Sequence, residues 1–260
     1  KDRPVLHARL DKRIPRREIR KIPLPSHLLL SDIPLSVGRV KIREGKIVYE
    51  EQVGVLPGKL WFDQADATIS GISMPVSLSG AATQVHIDGN AMLMGRGSTE
   101  IHITMFPGHP RDSFLLTGKV SAMQLSDLNP MLTRLVPVSV RRGVLDTLVL
   151  NAFRANDHEA TGYLTFSYHD LQVRFLPETR DLWERISKGL MTEAANLLLP
   201  LSNPSGNGIL KKGYIYHERD TSRAVFNFIW KGTLSGIRST LGINNDEQKQ
   251  MIRSERGRSK

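Results

Sequence analysis

From Ser36 to Phe175 the apolar residues recur at every second position, not at the 3.6-residue period of a helix. A chain with that rhythm makes strands with two unlike faces. Each apolar face must then be covered by another sheet, a helix or a ligand. Val40 and Ile42 alternate with Lys41 and Arg43, and Ile47 and Tyr49 follow across Glu44-Gly45-Lys46. That arrangement predicts a hairpin with Gly45 in its turn. An apolar residue, two charged residues and Gly return as Val140-Arg141-Arg142-Gly143 and Leu210-Lys211-Lys212-Gly213, so the same hairpin is expected three times.

The clearest alternation places Val85, Ile87, Gly89, Ala91 and Leu93 on one side and Gln84, His86, Asp88 and Asn90 on the other. After a turn at Met94–Ser98, Ile101, Ile103 and Met105 alternate with Glu100, His102 and Thr104. Pairing 91 with 101 and 89 with 103 brings every apolar side chain to one face, and a one-residue slip would undo the match. Phe114–Ala122 and Ala160–Tyr168 read as further strands, and Val144–Phe153 is apolar enough to be one. The Ala160–Tyr168 set changes parity at Leu171, Val173 and Phe175, which predicts a bulge or bend at His169-Asp170.

Helices fall late. Ser126-Asp127 predicts a short capped helix over 128–135, ended by Pro137, and 180–199 has helical spacing up to Pro200. Thr221-Ser222 predicts a cap for a helix over 223–241, with Gly242 at its end and an apolar stripe of Phe226, Trp230, Leu234, Ile237 and Leu241. Gly232 and Gly236 weaken it by about 1 kcal/mol each relative to alanine. Such a helix needs a surface to pack on. Lys231 and Arg238 beside the stripe suit an anionic lipid surface and plain solvent equally.

The chain therefore reads as mainly β. It divides into a basic tail or linker at 1–22, an antiparallel β-sheet body at 23–176, a helical C-terminal section at 177–245 with a strand near 209–217, and a charged tail at 246–260. Its 36 Lys+Arg against 26 Asp+Glu give +10. Residues 1–22 supply +6 of that, from nine basic and three acidic positions. Such a tail can bind nucleic acid or an anionic membrane, or stay solvated. No zinc-finger spacing or RNA-binding aromatic signature accompanies it, so nucleic acid is not the expected partner. Without cysteine there is no disulfide and no thiolate chemistry. No apolar run approaches the ~20 residues of a membrane span. An anchor or targeting signal is expected upstream of Lys1, if the protein has one.

Chemistry is sparse. None of the eight histidines stands in an HExxH arrangement. His86 and His102 share the polar face of the predicted hairpin, where two solvated histidines are the first reading and a metal pair the second. There is no GxSxG elbow, Walker loop or GxGxxG. Glu50-Glu51 reads as solvated at a strand end, and Asp63 and Asp66 have no partner pattern. No catalytic residue, metal or cofactor is expected.

Residues 33–51, IPLSVGRVKIREGKIVYEE, resemble the strand-Gly-strand unit of AsmA-like bacterial envelope proteins. Residues 116–150 resemble a later module of that family, and 213–242 resemble the C-terminal end of its Bacteroidetes members. The resemblance implies an elongated, curved antiparallel sheet forming a groove with an apolar inside. It implies a periplasmic protein attached to the inner membrane through a segment missing from this chain. Family members are associated with moving phospholipid to the outer membrane or with outer-membrane assembly, and carry no catalytic residues. The groove would be lined by Val85, Ile87, Ala91, Leu93, Ile101, Ile103 and Met105. Its partners would be phospholipid or a membrane surface, with envelope proteins besides. The residues alone favour a closed β-sandwich core over a lipid groove. They also leave room for an assembly factor that binds proteins without lipid, and for a nucleic-acid binder acting through 1–22.

Overall fold

Two long hairpins carry the sheet in the computed structural model, which describes residues 3–13, 21–30, 34–74, 84–109, 113–136, 138–176, 199–206 and 208–258. β2 (Leu35–Gln52) pairs antiparallel with β3 (Gly58–Met74), and β8 (Val138–Ala155) with β9 (Glu159–Phe175). Between them lie β4 (Val85–Leu93), β5 (Gly97–Met105) and β6 (Phe114–Val120), and β10 (Lys212–Glu218) follows β9. The short β7 (Met123–Gln124) pairs with β8 off this path. β1 (Val5–Asp11) is the exception in direction, running parallel to β2 at the edge. The protein is thus mainly β, one large open sheet of ten strands.

The expected hairpins at Glu44-Gly45 and Arg142-Gly143 are bulges instead. β2 and β8 run through them unbroken, each 18 residues long, with register shifts at Ile42/Gly45 and Arg142/Val144. Positive φ falls on Glu44 (52°), with a matching kink at Gln64 (52°) on β3. A charged pair before Gly can bend a strand as readily as end it, because a bulge needs only one residue off the ladder. The third copy of the pattern simply leads into β10. The bend at His169-Asp170 is present, with Asp170 at φ 57°, and there the buried positions of β9 change parity, from Tyr168 to Leu171, while staying in the same core.

β4 and β5 share the expected face but not the expected register: Ile101 opposes Gly89 and Ile103 opposes Ile87. The loop is tighter than the pattern implied, with only Met94, Gly95 and Arg96 between the paired Leu93 and Gly97. A slip of two keeps side chains on the same face, so the pattern alone could not see it.

The ends are folded in. Part of the stretch expected as a basic tail forms β1. The C-terminal charged tail forms α4 (Asp246–Arg258), whose Gln248 is buried and donates to the carbonyl of Tyr214 on β10. The helix expected at 180–199 lies outside the described residues, apart from Leu199. A 3-10 turn (Leu125–Leu128) leads into α2 (Asn129–Leu135), after the four-residue α1 (Pro25–Leu28). Ser126 and Asp127 make no cap. Asn129 instead accepts from the N–H of Val140 and donates to its carbonyl, both at 2.8 Å, fastening α2 to β8. α3 (Val225–Thr240) likewise lacks the Thr221-Ser222 cap, but Gly242 closes it at φ 89° as expected.

α2 and α3 show how far the sheet coils. α2 reaches β3, where a Cβ on Gly58 would meet Met131 and Leu135 at 3.2 Å, although β4, β5 and β6 separate β3 from β8. α3 packs on β9 and β10 yet touches β2 on its other side, with ring centroids of Phe226 and Tyr49 4.8 Å apart. β2 and β10 have six strands between them along the sheet. α3 lies between them, in contact with both. Among the described residues no ladder joins them.

Candidate apolar groove and its polar seam

One row of directly opposed residues crosses eight strands: Val40, Ile69, Ile87, Ile103, Leu116, Phe153, Gly162 and Ile215. Residues opposed in this way share a face. Burial along the row is uneven. Phe153 and Ile215 are buried beneath α3 and Leu116 is buried opposite Phe153, whereas Val40, Ile69, Ile87 and Ile103 are only half-buried. The row is core at one end and surface at the other.

Of the residues expected to line a groove, Val85 is buried, and Ile87, Ala91, Leu93, Ile101, Ile103 and Met105 are half-buried on this same face. Val40 and Ile69 extend the half-buried stretch onto β2 and β3. Ile69 stood in a Thr-Ile-Ser-Gly stretch whose short alternation gave little signal.

The helix stripe does not dock as its periodicity implied. The face of α3 against the sheet carries Phe228, Gly232, Gly236 and Thr240, all buried. A Cβ on Gly232 would stand 2.5 Å from Phe153 Cε2, and one on Gly236 2.7 Å from Leu164 Cδ2. A Cβ on Gly213 of β10 would come closer still to the Gly236 carbonyl oxygen. The two glycines that weaken the helix are what let it lie flat on the strands. The stripe of Phe226, Trp230, Leu234, Ile237 and Leu241 is half-buried and occupies the opposite side of the helix. Phe226 reaches Phe62, at 6.2 Å between centroids, and Phe62 pairs with Leu93. The stripe and the predicted groove therefore meet at that corner.

Where α3 crosses to β2, the sequence reading missed a buried polar cluster. Glu51 is 0% exposed, not solvated. Its carboxylate pairs with Lys12, which follows β1, and with Lys231 of α3 at 3.6 Å. Tyr49 donates its hydroxyl to Glu51 at 2.9 Å, and Asn227 donates to Tyr49 at 2.7 Å and to Glu51 at 3.4 Å. Tyr49 and Glu51 share a strand face because they are two apart, and Asn227 and Lys231 share a helix face because they are four apart. That spacing was the available signal. Burial raises the Tyr49 hydroxyl well above its ordinary value, and the adjacent carboxylate adds to this. Burial also works against Glu51, but Lys231, Lys12 and the Tyr49 hydroxyl outweigh it and hold the carboxyl below its usual range. Lys231 is lowered, first by burial and also by Lys12 and Arg238, against the pull of Glu51. The two shifts are compatible: one carboxylate gains from two ammoniums, while each ammonium has only a share of one carboxylate.

The polar face holds ordinary pairs. His102 bridges Asp88 (2.8 Å) and Glu100 (3.3 Å), while His86 meets Thr104 at 3.3 Å, so the two histidines have separate partners. Among the described residues no three His, Asp or Glu side chains converge as metal ligands would. Asp63 pairs with Lys46 at 2.8 Å, and Asp66 accepts the N–H of Glu44 at 2.8 Å, fixing the β2 bulge. A cleft of about 900 Å³ sits over that bulge, its charges being Arg3, Lys41 and Arg43 against Glu44, Asp66 and Asp88. Lys41, Thr68 and Asp88 place it on the face opposite the groove, and its balanced charge favours no ligand sign. The chain matches no family model, no curated protein and no solved structure.

Proposed function

We propose that this protein binds or conducts lipid acyl chains along the uncovered part of its apolar sheet face, as a non-enzymatic, AsmA-like component of the bacterial cell envelope. The half-buried row Val40–Ile69–Ile87–Ile103 carries this reading. An apolar strip that continues directly into a protein core, but is left partly open, gives an acyl chain the same contacts that side chains make a few strands away. Periplasmic location, attachment to the inner membrane and support of outer-membrane assembly come with the family resemblance and belong to the same proposal. A second reading, docking of an envelope protein, draws on β1, an edge strand with exposed Val5 and Leu6.

Native mass spectrometry of protein purified without detergent tests the first reading. Adducts of phospholipid mass are expected, and Ile87→Asp should remove them while the fold survives. A bare protein that also takes up no fluorescent fatty acid would refute lipid binding.

A further inference from the structure

The side of α3 turned away from β9 and β10 carries two donors that have no acceptor among the described residues. Arg238 is half-buried and makes no hydrogen bond or ion pair among the described residues. The indole N–H of Trp230 is buried with no acceptor among the described residues. Lys231, Leu234, Arg238 and Leu241 follow steps of 3, 4 and 3, so the cation stands in line with apolar side chains. Arg238 lies two turns, about 10 Å, from Lys231. Nearby Lys12, Lys231 and Arg238 set three positive charges against the single carboxylate of Glu51. A local excess of +2 beside an apolar stripe calls for an anion that brings its own hydrocarbon.

Resting on the lipid reading above, we infer that this face of α3 is the head-group subsite, where Arg238 contacts the phosphate of an anionic phospholipid whose chains run onto the apolar row. A guanidinium suits this task because it forms paired, charge-assisted hydrogen bonds with phosphate oxygens. Lys231 is already engaged by Glu51 and supplies field rather than contact. The indole N–H of Trp230, about 12 Å back along the helix, is placed for an ester oxygen rather than for the phosphate.

The test compares short-chain phosphatidylglycerol with phosphatidylcholine of identical chains, measuring binding to the full chain by titration calorimetry. Wild type should prefer phosphatidylglycerol, and Arg238→Gln should weaken that lipid by about tenfold while leaving phosphatidylcholine unchanged. Arg253→Gln, which neutralises an exposed cation on α4, should change neither. Inorganic phosphate at millimolar concentration should not compete, since it brings no chains; full competition would replace the lipid assignment with a free-anion site. Equal binding of both lipids, unmoved by Arg238→Gln, would overturn the head-group subsite and leave acyl binding standing. Failure of both lipids to bind would remove the lipid reading itself. Circular dichroism melting of Arg238→Gln, expected to match wild type, excludes unfolding as the cause.

Discussion

Lys231 on α3 stands 3.6 Å from Glu51 on β2, across a gap that no backbone ladder closes among the described residues. Removing the carboxylate leaves Lys231, mostly buried, facing Lys12 with nothing between them. Glu51→Gln should therefore destabilise the protein by about 3 kcal/mol, within the range for breaking a buried pair. Adding Lys231→Met should restore part of the loss, because the uncompensated charge goes with it. Urea unfolding of the three proteins measures this. Simple additivity of the two substitutions would show that the residues do not interact.

Acid should act through the same carboxyl. Its folded-state pKa lies below the ordinary value of 4.5, so its contribution is complete above about pH 4.5 and is lost as pH falls through the folded value. Between pH 5 and pH 3 the urea midpoint should fall further for wild type than for Glu51→Gln. Equal falls would assign the acid sensitivity to other groups.

The close approach of α3 to the sheet makes a second stability prediction. Gly232→Ala and Gly236→Ala each gain about 1 kcal/mol of helix propensity in an isolated peptide. In the protein each Cβ meets a fully buried side chain, Phe153 or Leu164, so both should instead lose about 1–3 kcal/mol. Gly213→Ala should be the most damaging, since its obstacle is the Gly236 carbonyl, which cannot rotate away. A higher thermal midpoint for any of the three would mean that the helix stands off the strands.

His102 offers a check on the polar face. The hydrogen bond to Asp88 raises its pKa above 6.5, with Glu100 adding a smaller effect. Its imidazolium is therefore favoured in the fold, a stabilisation present below about pH 6.5 and lost as pH rises through the folded value. An NMR titration should place its midpoint above that of a free histidine. Asp88→Asn should bring it down, and an unchanged midpoint would remove Asp88 as the cause.

The two ends of the apolar row should respond differently to truncation. Phe153→Ala, beneath α3, should cost about 3–5 kcal/mol. Ile87→Ala, on the half-buried stretch, should cost about 1 kcal/mol, because part of that side chain is already in water. Similar losses at both positions, read by urea denaturation, would mean that the open end is as tightly packed as the core.

Strand faces were legible in the sequence because alternation is a local property. Val85, Ile87, Leu93, Ile101 and Ile103 share a face as their parity requires, and the parity change after Tyr168 located the kink at Asp170. Register was not legible, since a slip of two leaves parity intact. Nor could a charged-charged-Gly pattern tell a bulge from a turn. α3 was found but turned the wrong way. Most of its large apolar residues marked a different face, while the face that docks is, apart from Phe228, made of glycine, serine and threonine, which allow closeness rather than supply area. Glu51 was misplaced because its partners lie far away in the chain, on β1's end and on α3, and only the fold brings them together.

The helix between β2 and β10 also fixes an aperture. Neighbouring strands in a closed barrel sit about 4.8 Å apart, held by a continuous row of backbone bonds. Here the circumference is completed by a spacer about 10 Å wide. Its inner contacts are Phe228, Thr240 and two bare glycines, and its outer ones a single carboxylate with two amines, a tyrosine and an asparagine. Drawing β2 away from β10 breaks side-chain contacts but, among the described residues, no backbone bond between them. The bore of this sheet is thus set by side-chain size at a few named positions, and bulkier residues at 232 or 236 would widen it without altering a strand.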